Sequence, residues 1–156
     1  MKIFLVDDEE TKSKAIASFV AERFPGHELR TFRSFQSGLH AIVTETPDLL
    51  LLDMTMPTYD VGPRESGGRE RRYAGREVLR QMRRRRIELP VIVITQYEQF
   101  EEDGREVDLQ TLRSELAEAY PGTFIDSVYF NLGDSNWAIA LEALVRPLLN
   151  GRKAEK

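Results

Sequence analysis

The sequence predicts a single α/β domain over residues 1–150, a doubly wound, five-stranded parallel sheet with helices on both faces. Three observations predict it. Short apolar runs alternate five times with stretches of helical period, the order expected when each strand is followed by a crossover helix. The strongest runs are apolar throughout, as strands buried on both faces are. The chain has 156 residues, 41% of them hydrophobic, and a chain of this size hides roughly 70% of its unfolded surface in one core.

Lys2-Ile-Phe-Leu-Val6 is the first strand, too short for a helix and apolar on both faces. Ile16, Phe19, Val20 and Phe24 then recur at helical spacing until Pro25-Gly26 ends the pattern. Glu28 to Phe32 reads as an edge-like second strand, after which Ser34 can cap a helix over about Phe35 to Thr44, closed by Pro47. Leu49 to Leu52 is the third strand, since Pro47 and Pro57 bracket it too tightly for a helix. A Gly-, Pro- and Arg-rich stretch, an extended loop over about 57–75, gives way to Val78, Leu79 and Met82 on a third helix. Pro90 to Thr95 is β-branched and apolar, the fourth strand. A second extended loop over about 96–108 leads to Leu109, Leu112, Leu116 and Tyr120 on one helix face, before Pro121-Gly122. Ile125 to Phe130 is the fifth strand. Asp134 or Ser135 caps a last helix carrying Trp137, Leu141, Leu144, Val145 and Leu148, which Pro147 is expected to bend or fray; residues 151–156 read as a loose polar tail.

Composition narrows the function classes. With no cysteine, disulfide frameworks, thiolate metal sites and thiol catalysis are excluded, and a cytoplasmic address is expected. No apolar run reaches the roughly 20 residues that span a bilayer, so no membrane association is expected. The net charge of −4 argues against a general nucleic-acid binder. It is unevenly distributed: Arg64 to Arg86 contains ten Arg and three Glu, whereas Glu98 to Asp108 contains six acids and one Arg. The run Arg83 to Arg86 closes a helix, where cations suit the dipole. His27 and His40 read as surface or packing residues.

In an open parallel sheet, ligands bind beyond the carboxyl ends of the strands. The first strand ends in Asp7-Asp8-Glu9-Glu10, the third in Asp53, the fourth in Thr95 and the fifth in Asn131-Leu132. Carboxylates gathered there repel, so the site must hold protons or a cation. Hard oxygen ligands with room for water and a phosphoryl group are what a magnesium ion, Mg2+, prefers. Four negative charges after the first strand argue against a nucleotide phosphate, and so against flavin.

Val6-Asp7-Asp8-Glu9, Leu-Leu-Asp53-Met-Thr-Met56-Pro57 and Val-Ile-Val-Ile-Thr95, each at its strand end, resemble the receiver domain of bacterial two-component response regulators, a flavodoxin-like fold, over roughly residues 1 to 149. The resemblance implies a phosphorylation switch in the cytoplasm. Asp53 is then the phosphoacceptor, taking its phosphoryl group from a histidine kinase, a phosphotransfer protein or a small phosphodonor. Asp7, Asp8, Asp53 and the backbone carbonyl of Thr55 hold Mg2+. Thr95 hydrogen-bonds the phosphoryl group, and Tyr129 either follows that movement or is an ordinary aromatic. Output is expected through a downstream protein partner, with a second copy of the chain another candidate. No independent turnover is expected: the phosphatases that use a strand-end Asp need a second Asp two residues on, and position 55 is Thr.

Three departures from the family stand out. The lysine that ends the fifth strand of receivers falls on Asn131 or Leu132, and the chain has no Lys between Lys14 and Lys153. No lysine is therefore expected nearby, and an arginine from the loop after Pro57 is the available substitute. Gln96 stands where a small residue follows the switch threonine. The loop after Pro57 is long, with Tyr59 and Tyr73 among its arginines. These departures leave an alternative: a phosphorylation-independent pseudo-receiver that acts as an interaction module through its Arg-rich loop.

Overall fold

The computed structural model describes residues 1–59, 70–71, 74–102 and 104–154. The element order is β1 (Lys2–Val6), α1 (Glu10–Arg23), β2 (Glu28–Phe32), α2 (Phe35–Glu45), β3 (Leu49–Leu52), β4 (Met56–Pro57), β5 (Glu70–Arg71), α3 (Ala74–Arg84), β6 (Val91–Thr95), β7 (Gln99–Glu102), β8 (Arg105–Asp108), α4 (Leu109–Ala119), β9 (Phe124–Tyr129) and α5 (Asn136–Ala154). The five strands expected from the apolar runs form one sheet in the order β2-β1-β3-β6-β9. Every neighbouring pair in it is parallel.

Alternate residues of each strand feed two cores. On one face Phe4, Val6, Leu50, Leu52, Val91 and Val93 pack with α2, α3 and α4. On the other, Ile3, Leu5, Leu51, Ile92, Ile94 and Val128 pack with α1 and α5. This is the doubly wound arrangement, and it explains why β3 could be four leucines: all four are buried. The helix face Ile16, Phe19 and Val20 is buried as its spacing requires.

Two segments expected to be plain loops contain strands. β7 and β8 form an antiparallel hairpin in which Phe100 pairs with Val107. Both side chains are buried in the core beneath α4. The chain reverses at Gly104 with φ +76°, a conformation open to glycine at little cost. In the stretch after Pro57, Met56 and Pro57 pair antiparallel with Arg71 and Glu70; residues 60–69 and 72–73, which carry most of that loop's Arg and Gly, lie outside the described residues. The last helix also differs from expectation, since α5 continues through Pro147 to Ala154 where a loose tail was expected from Gly151. Asp134 Oδ1 accepts from the Asn136 N–H at 2.9 Å, one of the two caps the sequence offered.

Candidate functional site

Sheet register brings the acids together. Val6 is paired with Leu52, so the next residues, Asp7 and Asp53, leave adjacent strands side by side. The Asp53 N–H donates to the Val6 carbonyl at 2.9 Å, and the Asp7 N–H to the Phe32 carbonyl at 2.9 Å, fixing both backbones at the strand ends. Asp7 and Asp53 are each only 1% exposed. Carboxylate oxygens of Asp7, Asp8 and Asp53 lie within 4.8 Å of one another. Asp7 Oδ1 accepts from the Glu9 N–H at 2.9 Å, and Asp53 Oδ1 from the Met54 N–H at 2.8 Å. Each acid thus has one oxygen held by backbone, while Asp53 Oδ2 and Asp7 Oδ2 are buried without a hydrogen bond. Buried polar atoms of this kind call for a partner.

A buried lysine stands among them. Lys12, in the first turn of α1, is fully buried. Its ammonium donates to Gln96 Oε1 at 2.8 Å and ion-pairs with Asp7 Oδ2 at 2.7 Å and Asp53 Oδ1 at 3.4 Å. The ammonium is thus the charged partner of Asp7 Oδ2, while Asp53 Oδ2 is left without a hydrogen bond. Glu9 caps α1 and fixes the turn that carries the lysine, its Oε2 accepting from the Lys12 N–H at 2.6 Å. The expectation that no lysine reaches the site is therefore corrected: one arrives from α1, before β2, and not from the end of β9. The signal was present, because position 12 precedes Ile16 by four residues and extends the apolar stripe of α1 toward the strand ends. A lysine on a buried stripe needs acids, and Asp7 and Asp53 supply them.

Electrostatics follow burial. Desolvation pushes the Asp53 carboxyl up to about 7, with Lys12 pulling it back and Asp7 pushing it further up. Burial likewise raises Asp7, against the pull of Lys12. Among the described residues, two buried carboxylates and the nearby Asp8 outnumber one buried ammonium, leaving the cluster short of positive charge. Clustered carboxylate oxygens, with Asp53 Oδ2 buried and without a hydrogen bond, suit a hard divalent cation.

Around this cluster, Thr95 ends β6 fully buried, and its Oγ1 accepts from the Tyr97 N–H at 3.1 Å. Thr55 is half-buried, two residues beyond Asp53. Tyr129 pairs with Thr95 across β6 and β9 and is 39% exposed, away from the core. Asn131 is exposed and its Oδ1 accepts from the Gly133 N–H; Leu132 is 60% exposed. His27 Nδ1 meets the N-terminal ammonium at 2.8 Å, and His40 is exposed.

A second residue was missed in the sequence. Gly75 opens α3 directly against the segment that follows β3: its N–H donates to the Met54 carbonyl at 3.1 Å. A Cβ there would lie 2.6 Å from the Asp53 carbonyl oxygen and 2.7 Å from Met54 Sδ.

The sequence matches, over residues 3–110, the family described as the response regulator receiver domain. The chain belongs to the response regulator receiver family. Receivers are signal-transduction modules of two-component systems, and they bind Mg2+ in an acidic pocket such as the one at Asp7, Asp8 and Asp53. This receiver is 32% identical to the Detocs response regulatory protein DtcB of Enterobacter cloacae, covering 88% of this chain and 93% of that one. It is 29% identical to protein y4jR of Sinorhizobium fredii, covering 91% and 95%. Among solved structures, it is similar to the beryllofluoride-activated NtrC receiver domain, with TM-score 0.57 and 25% identity over 96% of this chain and 94% of that one.

Proposed function

We propose that this receiver accepts a phosphoryl group on Asp53 and passes the signal on through protein contacts. The observation that carries the reading is the state of Asp53: a strand-end carboxylate, 1% exposed, with one oxygen held by the Met54 N–H and the other, Oδ2, without a hydrogen bond. Such an oxygen is held in place and has no bond to break before it attacks.

Asp7 and Asp8, with Asp53 and the Thr55 backbone carbonyl, are the residues that would hold Mg2+. The ion supplies charge neutralisation where an anionic carboxylate meets an anionic phosphoryl group. Glu9 and Phe32 orient Asp7 through the backbone bonds already described. Asp53 forms the new P–O bond as the donor's P–N or P–O bond breaks, and the donor leaves with the electron pair. Thr95 turns its hydroxyl from the Tyr97 N–H toward the phosphoryl oxygen, which draws the segment after β6 inward and changes the face made by α4, β9 and α5, where Tyr129 lies. A histidine kinase or phosphotransfer protein is the donor, and the output partner is a protein. The relative described as the DtcB response regulatory protein supports a response-regulator role, and the activation of the similar NtrC receiver by beryllofluoride, a phosphoryl mimic, supports acceptance at the strand-end Asp. No multiple turnover is expected beyond acceptance and loss of the group.

Incubation with Mg2+ and an acyl phosphate should add the mass of one phosphoryl group to the intact chain. Asp53→Asn should add none. Wild-type protein that stays unmodified with acyl phosphate and phosphoramidate alike, or Asp53→Asn protein that gains the same mass, would refute the reading.

A further inference from the structure

We infer that Lys12, delivered from the first turn of α1, is the phosphoryl-binding cation of this receiver, and that before phosphorylation the same ammonium competes with the divalent cation for the acid cluster. The inference rests on the proposal that Asp53 is the phosphoacceptor.

Four observations lead to it. The ammonium already lies 3.4 Å from Asp53 Oδ1, so a phosphoryl group on that carboxylate brings further negative charge within a few ångströms of it. Burial keeps water from screening that attraction, since Lys12 is 0% exposed. The end of β9 offers no cation: Asn131 is tied to Gly133 and Leu132 is largely exposed. Among the described residues, Arg76 and Arg105 are paired with Glu115 and Arg113 with Asp126. Among the described residues, Arg33 also lies near this edge, but it is exposed and donates to the carbonyl of Asp8 at 3.3 Å.

The lysine's present partners say what it does in the resting state. An ammonium between Asp7 and Asp53 neutralises part of the charge that a divalent cation would otherwise meet, so it lowers affinity for that cation. Its flexible four-carbon stem lets the head move from Asp7 to a phosphoryl oxygen without moving α1. Gln96 is the positioning residue. Its Oε1 holds the ammonium from the opposite side, and it stands next to Thr95 in the chain. A lysine that leaves Gln96 for the phosphoryl group frees the residue beside the switch threonine at the moment that threonine moves. When Asp53 bonds to phosphorus and the donor departs with its electron pair, Lys12 stays protonated and offsets charge on the phosphoryl oxygens that do not react.

The test uses the full chain as wild type, Lys12→Met and Lys12→Arg, with two readouts: Mg2+ affinity by calorimetry, and the initial rate of phosphoryl adduct formation from acyl phosphate by intact mass. Loss of the charge in Lys12→Met should tighten Mg2+ binding by about tenfold or more, while adduct formation falls by about tenfold or more. Lys12→Arg keeps the charge and should restore most of the rate. Opposite movement of the two readouts is something a merely structural lysine would not give. Unchanged adduct formation in folded Lys12→Met, or Mg2+ affinity that falls together with the rate, overturns the inference. If Lys12→Met does not fold by circular dichroism, the wild type decides: the Lys12 ammonium nitrogen resonance must shift when beryllofluoride is added to the Mg2+-loaded protein, and an unmoved resonance overturns the inference. Wild type that takes no phosphoryl group refutes the phosphoacceptor reading and this inference with it; wild type and Lys12→Met phosphorylated equally refute only the inference.

Discussion

The backbone carbonyl of Asp53 faces Gly75 so closely that a Cβ on the glycine would stand 2.6 Å from its oxygen. The contact is backbone to backbone and cannot be relieved by turning a side chain. It makes the start of α3 the floor beneath the Asp53–Met54 segment. Gly75→Ala must push α3 or the Asp53–Met54 peptide aside and should cost about 1–3 kcal/mol of stability, as overpacking does. Chemical denaturation measures the cost. A displaced Asp53 should also slow adduct formation more than Gly151→Ala does, where a Cβ meets nothing within 4 Å.

The raised pKa of Asp53 gives a pH dependence of definite sign. Burial lifts it from 3.8 to about 7, so between those values the folded chain keeps a proton that the unfolded chain has lost. That contribution to stability is present at low pH and disappears as pH rises through 7. Asp53→Asn cannot ionise and should be more stable than wild type at pH 8 without divalent metal, by up to about 4 kcal/mol. The gap should close toward pH 5, and Mg2+ should narrow it at pH 8 by favouring the ionised carboxylate. Melting temperatures across that range, with and without Mg2+, check both statements.

The hairpin of β7 and β8 is part of the core. Phe100 and Val107 are 6% and 2% exposed and pack with Leu112 and Leu116 of α4. Phe100→Ala should destabilise the chain by about 3–5 kcal/mol, whereas truncating a residue of an ordinary solvated loop would cost little. Urea unfolding distinguishes the two.

These elements differ in how readable they were, for physical reasons. Strands buried on both faces announce themselves as apolar runs, and the rule for parallel sheets then places Asp7, Asp53 and Thr95 at one edge without any structure. The hairpin did not announce itself, because each of its strands buries a single apolar side chain among charges. Its one local sign was Asp103-Gly104, a dipeptide favoured in two-residue hairpin turns. Lys12 was legible in principle from its place on the stripe of Ile16, but its role depends on a contact with Gln96, 84 positions away, that only the fold creates. Gly75 carried no sign at all, since close approach of two backbones leaves no periodic trace.

On the proposed reading, Thr95 separates acceptance from response. Its hydroxyl accepts a single bond, from the Tyr97 N–H, and its methyl is buried. Thr95→Val keeps the shape and removes that hydroxyl. Adduct formation should stay within about threefold of wild type, because Asp53 and the acid cluster are untouched and one neutral hydrogen bond is worth only about 1 kcal/mol. The change in hydrogen exchange over residues 96–108 that beryllofluoride produces in wild type should be lost. An exchange response that survives in Thr95→Val would separate the threonine from the switch.

The most direct measurement is the location of the new bond. An aspartyl phosphate is an acyl phosphate, which borohydride reduces to homoserine, so reduction after incubation with Mg2+ and acyl phosphate marks the acceptor in a peptide mass map. Homoserine at position 53, absent without Mg2+ or donor, is the predicted result. A phosphorylated chain whose only reduced residue is another acid, Asp7 or Asp8 included, would contradict the claim that Asp53 is the phosphoacceptor of this receiver.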